Sequence, residues 1–235
     1  VDGSPITPDG WQIRGIVDAF EDCVVVTASQ DPVEVQVVRF GTDGAVTPIT
    51  EGAAVHNALI GGPTTVITRS AVDAVGTTVM VHREGTEPAP INVVSETPPH
   101  QSVIRLIKAG KHELRTAVLL PRDHQTGSAK LPVLMDPYGG PHAQRVVASA
   151  RAFLEAQWLA DQGFCVIVCD GRGTPGRGHD FERAVQNDFA SVTLDDQVDA
   201  LAAVAEAYPD DVDTSRVGIT GWSFGGYLSA LAVLR

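Results

Sequence analysis

Residues 221–225 read Gly-Trp-Ser-Phe-Gly, the G-x-S-x-G pattern of a nucleophile elbow. A serine held on a sharp turn between a strand and a helix presents its hydroxyl to a carbonyl carbon. The tightness of that turn demands minimal side chains two residues to either side. The strand-like run RVGIT precedes the pattern and the helix-forming run SFGGYLSALAVLR contains its end, which is the required context. Ser223 is therefore the candidate nucleophile. Acyl transfer also needs two donors aimed at the oxyanion, and the backbone N–H of Phe224, the residue after the nucleophile, supplies one. The Tyr138 hydroxyl, in the Gly/Pro loop DPYGGPH (136–142) after the strand-like KLPVLM, is a candidate for the other. Sites in open α/β sheets form at the carboxyl ends of strands, which brings this loop to the edge that carries Ser223. Spacing alone weighs this role equally with that of a turn tyrosine whose hydroxyl meets solvent.

The expected partners of the serine are not in view. In α/β-hydrolases the acid and then the histidine follow the serine along the chain. Here His56, His82, His100, His112, His124, His142 and His179 all precede Ser223, and Phe224–Arg235 contain neither a histidine nor an acid. The general base and its carboxylate are expected C-terminal to this chain; His142 is the best stand-in within it but reads as a surface loop residue. A chain ending at Arg235 is expected to show no peptidase turnover and to leave an apolar strand edge open to association. Asp170 and Arg172, at the end of the strand-like FCVIVCD, either line a site or brace a loop. No His/Cys cluster has zinc spacing, and DGRGTPGRG lacks the Lys-Ser/Thr ending of a phosphate loop, so neither a metal nor a cofactor is expected.

The elements that must position these groups change character near residue 105. Before it, WQIRGI, CVVVTAS, VEVQVVRF, VHNALI, TTVITRS and TTVMVHR are short runs rich in Val, Ile and Thr, separated by turn formers, as expected for antiparallel strands of a sandwich, a barrel or propeller blades. After it the pattern alternates strand and helix, which predicts an open parallel α/β sheet. One helix is predicted over 147–162, with Ala150, Leu154 and Trp158 on its inner face. A second is predicted over 194–207, with Leu194, Val198, Leu201 and Ala205 inward and Asp195, Asp196 and Asp199 outward. Thr193 and Asp196 make a capping-box-like start to it.

The 235 residues carry a net charge of −12, which argues against nucleic acid or an anionic membrane as partner. No run of about 18 apolar residues occurs, and no signal peptide is visible. The chain begins at Val1, so the natural start is expected upstream. Cys165 and Cys169, four residues apart on one strand, stand roughly 13 Å from each other, too far for a disulfide. With Cys23 they read as free core thiols, which leans the location toward the cytoplasm.

YGGPH, CDGRGTPGRGHDFE (169–182), LDDQVDAL (194–201) and GWSFGGYLSA (221–230) occur in an order and spacing that resembles the prolyl oligopeptidase family, and most its dipeptidyl peptidase IV-like branch. The resemblance covers 106–235 and extends more weakly to 1–105, whose strands look like the closing blades of that family's β-propeller. It implies a partial β-propeller-like region over 1–105 and the N-terminal part of an α/β-hydrolase peptidase domain over 106–235. It also implies a serine peptidase that releases short peptides, commonly after proline or a small residue. By matching position, Ser223 is then the nucleophile, Tyr138 the oxyanion tyrosine, and the Phe224 ring a wall of the pocket for the residue before the cut. A peptide substrate follows, and a homodimer of the full-length protein is allowed. The family's paired propeller glutamates are not found. An esterase or acylaminoacyl-peptidase, which would use the same elbow, and a non-catalytic interaction module are the competing readings.

Overall fold

The computed structural model describes residues 3, 5–74, 76–96 and 98–235. They divide into two compact units, Val1–Pro99 with Val147–Arg151, and His100–Val146 with Ala152–Arg235.

The first unit holds two antiparallel sheets of four strands. One runs β1 (Gln12–Ala19), β2 (Cys23–Ser29), β3 (Gln36–Gly41) and β4 (Val46–Pro48); the other runs β5 (Ala54–Gly61), β6 (Thr64–Ala71), β7 (Thr77–Arg83) and β8 (Ala89–Ile91). Each strand pairs with its sequence neighbour in an up-and-down order, as in a propeller blade. Val37, Val38 and Phe40 are fully buried. The strand expected from Val33 starts only at Gln36. Asp31 diverts the chain into a turn, accepting the Val33 N–H on its side chain and the Glu34 N–H on its carbonyl.

The second unit is built on a five-stranded sheet in the order β13 (Val212–Ile219), β11 (Leu131–Met135), β12 (Cys165–Asp170), β10 (Leu114–Leu119), β9 (Ile104–Ala109). This is the α/β-hydrolase pattern, with blade-like strands preceding it in the chain. The sheet is mixed where a parallel one was expected. β11 runs parallel to β12 and β13, while β10 runs antiparallel to both β12 and β9. The reason lies in the connections. β9 and β10 are joined by a tight turn in which Glu113 N–H donates to Gly110 O, and so short a link permits only antiparallel pairing. β11 to β12 and β12 to β13 each cross over through a helix, α1 (Leu154–Ala160) and α3 (Ser191–Ala207). β9 spans the 105/106 division expected from the sequence. The core lies on this sheet, where Val118, Val133, Met135, Cys165 and Ile167 are buried together. All three cysteines are free and buried, and burial pushes the Cys165 thiol up to about 12.

Both predicted helices shift. The first begins with a 3-10 turn at Ala150–Phe153 and becomes α-helical only at Leu154. Its expected first turn is tied elsewhere: Ala148 N–H donates to Val33 O at 2.6 Å. Trp158 is 54% exposed, and Phe153, Ala156, Gln157 and Ala160 are the buried residues instead. The helix α3 starts three residues earlier than expected because Asp188 accepts the N–H groups of Ala190 and Ser191. Its buried face is Thr193, Asp196, Gln197, Ala200 and Val204. Asp196, expected to face out, is fully buried, and Val198, expected inside, is 57% exposed. The capping box does not form; the Thr193 hydroxyl turns back to the Phe189 carbonyl. A short α2 (His179–Arg183) and α4 (Phe224–Leu234) complete the unit. No described helix is long and apolar enough to cross a membrane.

Candidate active site

β13 ends at Ile219, and Thr220 N–H donates to Met135 O at 2.9 Å, which fixes the strand end beside β11. The chain then reverses within three residues to begin α4 at Phe224. Ser223 stands at the apex with φ 55° and ψ −117°. That backbone is left-handed and non-glycine, of the kind that costs about 1–3 kcal/mol and persists only where its surroundings over-determine it.

The surroundings do so. A Cβ at Gly221 would overlap the Gly225 carbonyl group, and one at Gly225 would overlap the Pro137 carbonyl oxygen. The elbow is thus closed on itself and seated directly on the backbone of the 136–142 loop. Three residues further along the loop, a Cβ at Gly140 would enter the Phe224 ring, 2.7 Å from its Cγ and 2.9 Å from its Cε1. A Cβ at Gly139 would stand 2.6 Å from Leu228 Cδ1. The glycine pair after Tyr138 therefore lets the loop lie flat on α4.

Ser223 is exposed, and among the described residues its hydroxyl has no hydrogen-bond partner. Phe224, as the first residue of α4, has an N–H with no acceptor inside the helix. The positive end of the helix lies at the serine, where it favours negative charge. The Tyr138 ring is half-buried, with its centroid 6.4 Å from that of Phe224. Phe224 is ringed further by Tyr227 at 5.3 Å and by Phe189 at 6.1 Å. The structure thus sets the Tyr138 ring beside that of Phe224, the residue that follows Ser223. His142 lies in the same loop, exposed and with φ 80°, and no hydrogen bond joins it to Ser223 among the described residues.

The loop itself is braced by ions. Arg145 donates to the Asp136 carbonyl and to the Asp136 carboxylate, both at 2.8 Å, closing the two ends of the loop on each other. Burial alone would lower the Arg145 guanidinium; the hydrogen bond and charge of Asp136, with Asp170 behind them, outweigh it and raise it. Asp170, at the end of β12, accepts the backbone N–H groups of Arg145 and Val146. Arg172 lies over Asp196 of α3, donating to it at 2.7 and 2.9 Å. Of the two roles open to Asp170 and Arg172, the loop-bracing one is what the structure holds. Asp136, Arg145, Phe189 and Gln197 escaped the sequence reading. Asp136 had the signal of standing at a strand end inside DPYGGPH, whereas Phe189 carries none.

Among the described residues no group of three His, Cys, Asp or Glu is placed to hold a metal.

Fold and elbow define an α/β-hydrolase pattern with a serine at the apex of its strand-to-helix turn. The profile of the prolyl oligopeptidase family matches residues 150–235. Dipeptidyl peptidase 8 of Homo sapiens is 40% identical over 117 residues, covering 49% of this chain and 13% of that protein. Prolyl endopeptidase FAP of Mus musculus is 28% identical over 172 residues, 67% of this chain and 22% of that protein. The crystal structure of dipeptidyl peptidase 4 from Porphyromonas gingivalis superposes with a TM-score of 0.83 at 27% identity, over 98% of this chain and 34% of that one. The carboxyl-terminal part of the chain thus resembles the prolyl oligopeptidase family, and the whole of it is similar in fold to a dipeptidyl peptidase IV-like member. It spans 13% and 22% of the lengths of those two curated relatives.

Proposed function

We propose that the natural protein is a serine peptidase that cleaves short peptides after proline or a small residue, through an acyl-enzyme on Ser223. The observation that carries this is the strained, exposed Ser223 at the start of α4, locked by Gly225 against the Tyr138 loop. In the proposed step Ser223 Oγ attacks the scissile carbonyl carbon and its proton passes to a histidine. The carbonyl oxygen, now anionic, is held by the Phe224 N–H and the Tyr138 hydroxyl. Collapse of the tetrahedral species expels the amine, which takes the proton from the histidine, and water then releases the acyl group by the same route. The histidine and its carboxylate are assigned to the part of the natural protein that follows Ser223, in keeping with the chain order of α/β-hydrolases. The Phe224 ring, held among Tyr138, Phe189 and Tyr227, packs on the side chain before the cut.

The test is made on the natural protein. A fluorophosphonate probe is expected to label it at Ser223, with labelling lost in Ser223→Ala. Gly-Pro amides are expected to be turned over faster than acylamino-acid amides and p-nitrophenyl esters. Tyr138→Phe is expected to lower kcat by roughly 10²-fold, the scale of one oxyanion donor. Labelling that survives in Ser223→Ala would remove the proposal; a preference for acylamino-acid amides or esters would reassign the substrate and keep the nucleophile.

A further inference from the structure

Gln197 belongs to the LDDQVDAL run, and the mechanism above leaves it without a role. It sits on the buried face of α3, 3% exposed. Its amide spends its donor on one long bond, Nε2 to Cys169 O at 3.4 Å, at the end of β12. Its Oε1 is buried and has no partner among the described groups. A buried carbonyl oxygen in that state costs about 1–3 kcal/mol, and a leucine at the same place would avoid the cost.

The position of the amide gives it a use. Nε2 lies 3.3 Å from where a Cβ of Gly139 would stand, and Leu228 Cδ1 of α4 flanks the same point at 2.6 Å. Gly139 has φ 64° and follows Tyr138 directly. The floor under the Tyr138 backbone is therefore made by two side chains, one from the elbow helix and one amide tethered to the β12 end. On the same face of α3, the neighbouring Asp196 holds the Arg172 loop. The two adjacent polar residues thus each support one loop at the carboxyl edge of the sheet.

We infer that Gln197 is a positioning residue that sets the height and tilt of the Tyr138 loop, and through it the placement of the Tyr138 hydroxyl over Ser223. The inference rests on the reading of Tyr138 given above. A displacement of about 1 Å in such a group costs up to 10²-fold in rate.

The experiment is a double-mutant cycle in the natural protein with a Gly-Pro amide substrate. Gln197→Met keeps the length of the side chain and removes the amide; it is expected to lower kcat roughly 10-fold or more with KM within about twofold, since the Phe224 pocket is not displaced. In a Tyr138→Phe background the same change is expected to have almost no further effect on kcat, because the group it positions is gone. Gln197→Asn, which keeps the amide and shortens the reach, is expected to fall between. Additive losses from Gln197→Met and Tyr138→Phe would overturn the inference and leave the role of Tyr138 standing. A Tyr138→Phe variant with unchanged kcat would remove the oxyanion role itself, and this inference with it. Should Gln197→Met not fold, the same cycle run with Gln197→Asn decides by the same criterion.

Discussion

The two units differ in where they put their carboxylates. In the blade-like unit the ion pairs lie in solvent: Arg39–Asp22 has side chains 48% and 71% exposed, and Arg69–Asp73 has 38% and 76%. The hydrolase unit has exposed pairs too, Lys108–Glu113 at 54% and 59% among them, but it also buries four acids: Asp136, Asp196 and Asp211 have side chains 12%, 0% and 2% exposed, and Asp170 is 3% exposed. Burying a carboxylate costs several kcal/mol unless its partners are placed well. Three of these four stand at or near carboxyl ends of strands or on the helix facing them, where the backbone departs from any repeating pattern around Ser223. A regular ladder satisfies its own backbone groups. A loop that must hold a shape against solvent needs fixed acceptors, and the buried acids supply them.

The contrast can be attacked at graded strength. The largest effect is expected from Gly225→Val. Its Cβ would enter the Pro137 carbonyl, so elbow and loop must part; fluorophosphonate labelling is expected to fall by at least about 10²-fold while the circular dichroism of the strands is kept. Arg145→Met comes next. It leaves the buried Asp136 unpaired and is expected to destabilise the hydrolase unit by about 3–5 kcal/mol, read by urea denaturation followed at the tryptophans. Asp211→Asn is expected to cost about 2 kcal/mol. Asp211 accepts from His124 Nε2 at 2.7 Å and from the Gly127 N–H at 2.8 Å. Burial alone would raise its carboxyl, but these two hydrogen bonds, with the charges of His124 and Arg105, outweigh it and hold the group below its ordinary value of 3.8. The stabilisation is therefore complete above that value and is lost as pH falls through the depressed one. Melting temperatures taken from pH 6 down to 3 should fall less steeply in Asp211→Asn than in the parent. Arg39→Met, in the blade-like unit, is expected to change stability by less than about 0.5 kcal/mol. A loss as large as that of Arg145→Met would erase the distinction between the units.

The same division marks what the sequence made readable. The strands β2, β6 and β7 fall on the runs that composition picked out, because Val, Ile and Thr at short spacing leave the backbone few alternatives. The elbow was readable for a different reason: Gly221 is forced by contact with Gly225 inside the same pentapeptide, although Gly225 is forced by Pro137, distant in the chain. The inward face of α3 was read in part: Leu201 and Ala205 pack against the sheet core as expected, while Val198 does not. Hydrophobic spacing also pointed to Leu194 and Val198, but Asp196 and Gln197 occupy the buried side, Asp196 because it holds Arg172, distant in sequence. Phe189 likewise meets Phe224 only through the packing of two segments far apart in the chain. Periodicity reports local economy, and at this edge of the sheet local economy yields to the shape of the site.

Residues Val147–Arg151, though they lead into the first helix of the hydrolase unit, group with Val1–Pro99, and the Ala148 N–H fills the Val33 carbonyl. Neither unit is an uninterrupted stretch of polypeptide. A single scission after Pro99 would therefore not yield two whole bodies: the amino-terminal piece would lose a short guest segment and leave one of its own acceptors empty. Any attempt to express the blades by themselves has to carry that guest along, spliced in or added as a peptide.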